Sequence, residues 1–508
     1  MQRDISRFSK HTYDLLVVGG GINGAAIAHL AAKRGMKVAL LEKGDFASGT
    51  SSKSTKLIHG GIRYLENLEV DLVWESLRER HVQLEAAPHL VKPLPFVIPV
   101  YEGDKRPLWM MQLGVFLYDL LAGKYRVKPR KNLTREEVIR LEPGIEQKGL
   151  KGGVLYYDAQ MDDARLCLEN VLMAAHYGAH VANYVKAVSF VKENGRVAGV
   201  RAHDMLGIKE FEVRAKRVIC AVGPWTNEFL RLDIPNAKKK VRTTKGIHIV
   251  LKGEISKHAV LIGSQSDRRI FFLIPWMGNS LIGTTDTDYV ASPDRVKVEQ
   301  EDLDYLMRES RRVFPGLDFS SDKILATFAG LRPLIRKGGS ASQVSRKHLF
   351  YASKSGVIFV VGGKYTTYRK VAEDCMNRMQ GTGSQMGSDP LTPLRGLTPF
   401  VLYGSEAITE TSEVVAARSG LEREVAQSLM DLYGSRYKEV LKLCEKNPGL
   451  KEKVSNDPPV IKAQLVYSVE TEMARTVEDI TDRRLSLVFR GPVSASTLAA
   501  IHSVLPKK

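Results

Sequence analysis

Residues 54–69 read STKLIHGGIRYLENLE. A glycine pair, Gly60 and Gly61, lies between two cations, Lys56 and Arg63, with His59 before it and Tyr64 after Arg63. Adjacent glycines mark a sharp bend or a close approach to another group. A bend alone needs no arginine; an anionic ligand accounts for the charge. Upstream, Gly19, Gly21 and Gly24 form GxGxxG in VVGGGINGAA. Gly19 allows a tight strand-to-helix turn, Gly21 admits a pyrophosphate close to the backbone, and Gly24 lets helix and sheet pack closely.

These glycines need particular elements around them. Residues 13–18 form an apolar run suited to a buried parallel strand. An alanine-rich helix is expected over 22–34, closed by Gly35, and a second strand over 37–41. Glu42 then stands where an acid accepts hydrogen bonds from a ribose diol. The order strand, glycines, helix, strand, acid specifies a dinucleotide fold, and an acid at Glu42 favours FAD or NAD over NADP. Two later segments are expected to be strands that return to the cofactor: KRVICAVGPW (216–225), after a hairpin over 185–192 and 197–203, and SGVIFVVGGK (355–364), which feeds a helix. Convergence of separate segments on one cofactor is a flavoprotein habit.

The chain has 508 residues, enough for two or three domains, with 44% hydrophobic and 26% charged residues. Four scattered cysteines form no CxxC, which fits a reducing compartment. The start, MQRDISRFSK, shows no apolar signal core, so secretion is not expected. A net charge of +18 favours anionic partners, but no block of five lysines or arginines marks a nucleic-acid tail. Asp162 and Asp163 lack complementary ligand spacing, so salt bridges or helix capping are expected there and no metal.

Beyond the dinucleotide motif, the segments TSSKSTKLIHGGIRYLE (50–66), YYDAQMDDARL (156–166), AVGPWTN (221–227), KGIHIVL (245–251), IPWMGNSLIGTTDTDY (274–289), AGLRPL (329–334) and VVGGKYTTYRKVAE (360–373) resemble, in order, the FAD-dependent glycerol-3-phosphate dehydrogenase family of the respiratory, quinone-linked type. The resemblance implies α/β plus α+β architecture with a Rossmann-like FAD domain similar to D-amino-acid-oxidase-like flavoproteins (12–90, 145–245 and 345–385). It also implies an antiparallel-sheet substrate domain (91–144 and 246–344) and a C-terminal helical domain (390–508). In the last, helices are expected over 421–432 and 436–444, and residues 469–491 are expected to pack on the FAD domain.

The implied reaction oxidises sn-glycerol 3-phosphate to dihydroxyacetone phosphate, with hydride passing from C2 to flavin N5. Such a site needs cations for the phosphate, a proton acceptor and dipoles at the developing oxyanion. Arg63 and Lys364 are the phosphate candidates. Tyr64, Thr284 and Thr285 add neutral hydrogen bonds, and Arg332 holds phosphate or polarises the C2 oxygen. His248 is the candidate proton acceptor, with His59 as rival between proton chemistry and flavin contact. Noncovalent FAD is expected against Gly19, Gly21, Ile22, Asn23, Gly24, Glu42, Lys43, Thr50, Ser51, Ser52, Leu57, His59, Gly60, Gly61, Ala187, Gly223, Trp225, Gly362, Gly363, Lys364, Thr366 and Thr367.

The family also implies a membrane quinone as electron acceptor. The apolar stretch 108–121 is too short to span a bilayer, which takes about 20 residues. It is flanked by Lys105, Arg106, Lys124, Arg126, Lys128, Arg130 and Lys131, and carries the interfacial types Trp109 and Tyr118. A helix lying on an anionic membrane surface is expected, against the alternative of a helix buried on both faces. The expected setting is cytoplasmic, peripheral on the inner face of the cell membrane, with a homodimer allowed and no nucleic acid. The rival readings are an oxidase that passes electrons to O2 and a basic FAD protein acting on tRNA.

Overall fold

In the computed structural model, the described residues are 1–207, 209–267, 269–336, 347–381 and 402–506. The central layer is a six-stranded sheet in the order His348–Ala352, Ile358–Gly362, Val218–Cys220, Leu15–Val18, Val38–Leu41, His180–Ala182. All neighbours are parallel except the edge pair His348–Ala352 and Ile358–Gly362. Leu15–Val18 and Val38–Leu41 are buried at every position, as strands covered on both faces must be. Helix Ile22–Lys33 buries five alanines and packs against Asp163–His176 and Tyr368–Gly381. The expected returning strands join this sheet. The hairpin Val185–Glu193 and Arg196–Asp204 instead enters a separate four-stranded sheet with Lys209–Ala215 and Thr12–Tyr13.

A large, mostly antiparallel sheet forms the second body. Its path runs Thr287–Tyr289, Val241–Leu251, Asn279–Gly283, Ile270–Trp276, Ala259–Gly263, Val91–Tyr101, Leu150–Met161, Leu57–Ile58. Ile324–Ile335 pairs along Val241–Leu251, and Lys131–Leu133 along Leu150–Met161. Leu57–Ile58 and Leu150–Met161 come from stretches assigned above to the cofactor domain, so the two sheets share chain segments. Helix Leu108–Ala122 packs on Leu150–Met161 through one narrow stripe, Val115, Tyr118 and Ala122. It is not buried on both faces: Trp109 is 62% exposed and Leu120 64%.

The C-terminal part is helical, with Ser412–Ser419, Arg423–Tyr433, Tyr437–Lys446, Lys462–Glu470 and Ala495–Val504 around a two-stranded ribbon. Residues 390–401 of the expected domain lie outside the described residues. Its dock onto the cofactor layer is ionic and buried. Arg484 makes two 2.8 Å bonds to the two oxygens of Asp45, and Arg483 Nε donates to the same carboxylate at 2.7 Å. Arg165 Nη1 reaches both oxygens of Glu472 at 2.8 Å. Removing one member of such a pair would strand a buried charge, at a cost of roughly 3–5 kcal/mol.

Candidate active site

A cavity of about 900 Å³ lies between the two sheets. Its first wall is the glycine turn. Gly19 has φ +107°, and a Cβ there would stand 2.6 Å from the Ala221 carbonyl oxygen. A Cβ on Gly24 would stand 1.9 Å from the Gly19 oxygen, so Gly24 serves helix packing behind the wall. Gly21 opens helix Ile22–Lys33 without a side-chain cap of its own, and Ser51 Oγ accepts from Ile22 N at 2.9 Å. Glu42 accepts from Gly20 N at 2.7 Å and Gly44 N at 2.8 Å. Burial, the larger effect, raises its carboxyl above the ordinary value, and those two N–H groups oppose the rise. Lys43 stacks 4.0 Å over Trp225 and pairs with Asp294 at 2.5 Å, fixing both expected cofactor residues at the cavity. Thr50 donates to the Leu331 oxygen at 2.7 Å, joining this wall to the second sheet. Leu57, Ala187, Gly223, Gly362 and Gly363 complete it. A helix N-terminus facing a cradle that side chains would fill fits a dinucleotide pyrophosphate.

The second wall holds the opening motif. Gly61 has φ +78°, and a Cβ there would meet the Tyr64 ring at 2.2 Å. Tyr64 folds back on its own turn, and Lys364 Nζ lies 4.7 Å from its ring centre. Lys364 donates to the His59 carbonyl (3.3 Å) and Ser76 Oγ (3.0 Å). Arg63 lines the cavity, and among the described residues it has no ion pair. His59 also lines the cavity, and its N–H donates to Thr366 Oγ1 at 3.2 Å.

Two expectations for this motif change. Lys56 does not face a ligand: it is buried, paired with Asp163 at 2.5 Å and donating to the Ser52 oxygen at 2.7 Å. Asp162 caps helix Asp163–His176, accepting from Arg165 N at 3.1 Å, so both acids have the structural roles expected of them. Gly60 stands behind the wall: a Cβ would lie 2.3 Å from Tyr118 Oη and 2.7 Å from Leu77 Cδ2, so helix Leu108–Ala122 and helix Val70–Ala86 together demand glycine there. Ser52, Thr285 and Thr367 also sit behind the lining. Thr285 Oγ1 accepts from Ile247 N at 3.1 Å, and Thr367 Oγ1 donates to the Lys364 oxygen at 3.4 Å.

The third wall is one face of the large sheet. Thr244, Gly246 and His248 on one strand oppose Arg332, Gly330 and Phe328 on the next. Arg332 donates to Thr284 Oγ1 (2.9 Å), the Thr285 carbonyl (3.1 Å) and Asp286 Oδ1 (3.1 Å). Its guanidinium crosses Gly246, where a Cβ would lie 2.4 Å from Thr284 Oγ1 and 2.5 Å from Arg332 Nη2. His248 stacks on Phe328 with ring centres 4.8 Å apart and planes at 18°. Across the strand is Gly283, where a Cβ would stand 2.2 Å from the imidazole. His248 Nε2 is 3.0 Å from Thr55 Oγ1. Burial, then Arg332 and Lys56, hold the His248 pKa well below the ordinary 6.5, so the ring is neutral at working pH.

Sequence reasoning passed over Thr55, Ser76, Asp286, Gly246 and Gly283. A signal existed for the glycines, since glycine inside a strand marks a close approach. Thr55, Ser76 and Asp286 come from segments whose meeting depends on tertiary structure.

The glycine cradle, the returning strands and the cation-lined cavity define an FAD-dependent oxidoreductase, and residues 14–369 match that family, described as FAD dependent oxidoreductase. Residues 398–507 match the C-terminal domain of alpha-glycerophosphate oxidase. The chain is 40% identical to a glycerol-3-phosphate dehydrogenase of Synechocystis, over 99% of this chain and 94% of that one. It is 37% identical to the aerobic glycerol-3-phosphate dehydrogenase of Bacillus subtilis, over 96% and 90%. The solved glycerol-3-phosphate dehydrogenase of Bacillus halodurans complexed with FAD superposes with TM-score 0.77 at 31% identity, covering 98% of this chain and 90% of that one. This chain belongs to the FAD-dependent glycerol-3-phosphate dehydrogenase family.

Proposed function

We propose that the protein oxidises sn-glycerol 3-phosphate to dihydroxyacetone phosphate and passes the electrons to a membrane quinone. The observation that carries the first part is the convergence of Arg63, Lys364 and Arg332 with a neutral His248 in the cavity that the glycine cradle opens. Bound FAD supplies the acceptor for the hydride that leaves C2. Gly19, Gly21, Ile22 and Glu42 hold its pyrophosphate and ribose end. Arg63 and Lys364 bind the substrate phosphate, and Tyr64 and Thr284 add neutral hydrogen bonds. Arg332 shares its charge with Asp286, so it acts as an aimed donor toward the C2 oxygen or a phosphate oxygen. His248 accepts the hydroxyl proton, which with the departing hydride accounts for the two hydrogens lost.

Anaerobic glycerol 3-phosphate is expected to bleach the flavin absorption of purified protein, and a quinone analogue to restore it. An unbleached spectrum would sink the substrate assignment. Restoration by O2 alone, with stoichiometric peroxide, would make the protein an oxidase.

The membrane part rests on helix Leu108–Ala122. Trp109, Leu113, Phe116, Leu117 and Leu120 are exposed, and contacting segments add Leu68 at 85% and Trp74 at 46%. Among the described residues no helix is long and apolar enough to cross a membrane. Lys105, Lys124, Lys128 and Arg130 rim the patch without carboxylate partners among the described residues, each contributing about 1 kcal/mol near an anionic leaflet. We expect the enzyme to sediment with anionic vesicles at low salt and the double variant Trp109→Glu, Leu120→Glu to stay in the supernatant. Equal sedimentation of both would count against this surface.

A further inference from the structure

An aromatic side chain of the C-terminal part reaches the chemistry. Phe489, largely buried, meets Phe328 edge to face, with ring centres 5.9 Å apart and planes at 68°. Phe328 is the ring on which His248 stacks. Lys56 Nζ lies 5.2 Å from the Phe328 centre and 5.4 Å from that of Phe489, closing the cluster from the side. The segment carrying Phe489 is anchored twice. Asn279 Nδ2, on the large sheet, donates to the Phe489 carbonyl at 2.9 Å, and Arg484 grips Asp45 in the cofactor layer. Gly283 lies across the strand from His248, where a side chain would collide with the imidazole. The imidazole is held by Phe328 on one face and by the Thr55 hydrogen bond at its Nε2 edge, and the far edge of Phe328 meets Phe489.

We infer that Phe489, supplied by the C-terminal domain, is a positioning residue for His248 and acts through Phe328. The inference rests on the reading of His248 as proton acceptor. Arg63 and Lys364, which bind the substrate phosphate, lie outside this stack, so a loss of Phe489 acts on turnover rather than on binding. A small misplacement of a group that must meet a reacting atom costs an order of magnitude or more in rate.

The test uses the FAD-loaded full-length enzyme and anaerobic flavin bleaching by saturating glycerol 3-phosphate. Phe489→Ala is expected to slow bleaching about tenfold, with KM within about twofold of wild type and the flavin retained. Phe489→Leu, which keeps most of the volume, is expected to recover part of the rate; it also decides the matter if the alanine variant fails to fold. In a His248→Asn background, Phe489→Ala should cost nothing further, because a residue acting through His248 has nothing left to position. A wild-type rate in both Phe489 variants overturns the inference, as does a loss that simply multiplies with that of His248→Asn. If His248→Asn itself bleaches at the wild-type rate, the reading of His248 has failed and takes this inference with it.

Discussion

Arg332→Ala is expected to lower kcat/KM for glycerol 3-phosphate by roughly 10²–10³, the range found when one aimed donor is removed from a reacting oxygen. FAD should stay bound, because the glycine cradle and Ser51 lie on the other wall of the cavity. The geometry explains why lysine should not rescue the loss. The guanidinium uses Nη1 on Asp286 and Thr285 and Nη2 on Thr284 and Thr285, a planar fork that an ammonium cannot reproduce. It also explains why Gly246→Ala should approach the same defect with the arginine still present. A methyl group there would lie within 2.4–2.7 Å of Thr284 Oγ1 and both terminal guanidinium nitrogens, so the fork must lift off the strand. Steady-state kinetics beside the flavin content of each variant would decide. Loss of flavin in Arg332→Ala would make the residue structural, and a normal rate in Gly246→Ala would show that its placement is not critical.

The sequence carried the cofactor half of this site more fully than the substrate half. Strand, GxGxxG, helix, strand and acid are contiguous, and local periodicity and turn chemistry determine them. Helix Ile22–Lys33 and strand Val38–Leu41 fall within a residue of expectation. The substrate wall is assembled from cross-strand pairs. That Arg332 and Phe328 share a face with His248 follows from register between strands some eighty residues apart, which one chain does not state. Charge was the least legible property. Lys56 and Arg63 flank the same glycine pair and looked equivalent. Lys56 turns inward to Asp163, while Arg63 alone faces the cavity. Gly60 and Gly61 looked equivalent too, but Tyr118 and Leu77 require one and Tyr64 the other. Exposure of helix Leu108–Ala122 was likewise a tertiary matter, since an apolar stretch reads alike whether its cover is protein or lipid.

His248→Asn should reduce kcat by roughly 10²–10⁴, the usual contribution of a positioned proton acceptor, with a smaller change in KM. Asparagine ends short of the Nε2 position that meets Thr55 Oγ1, but it is smaller than the imidazole and fits between Phe328 and Gly283, so the fold should survive. The pH dependence separates a base from a bystander. Burial first, then the charges of Arg332 and Lys56, disfavour imidazolium, which places the titration well below 6.5. The neutral, proton-accepting form therefore persists as the pH falls through 6.5, and activity drops only at the depressed value. Removing one of those cations weakens the depression: Lys56→Met strands the buried Asp163 carboxylate and so costs stability, but it should move the acid limb of kcat/KM upward, with burial still holding it below 6.5. The same sign governs stability. The unfolded histidine binds its proton near 6.5 and the folded one does not, so stability declines as the pH falls below that point. A pH–rate profile of wild type, Lys56→Met and His248→Asn is the measurement. An acid limb unchanged in the asparagine variant would remove His248 from the role and leave it to His59, the other imidazole lining the cavity.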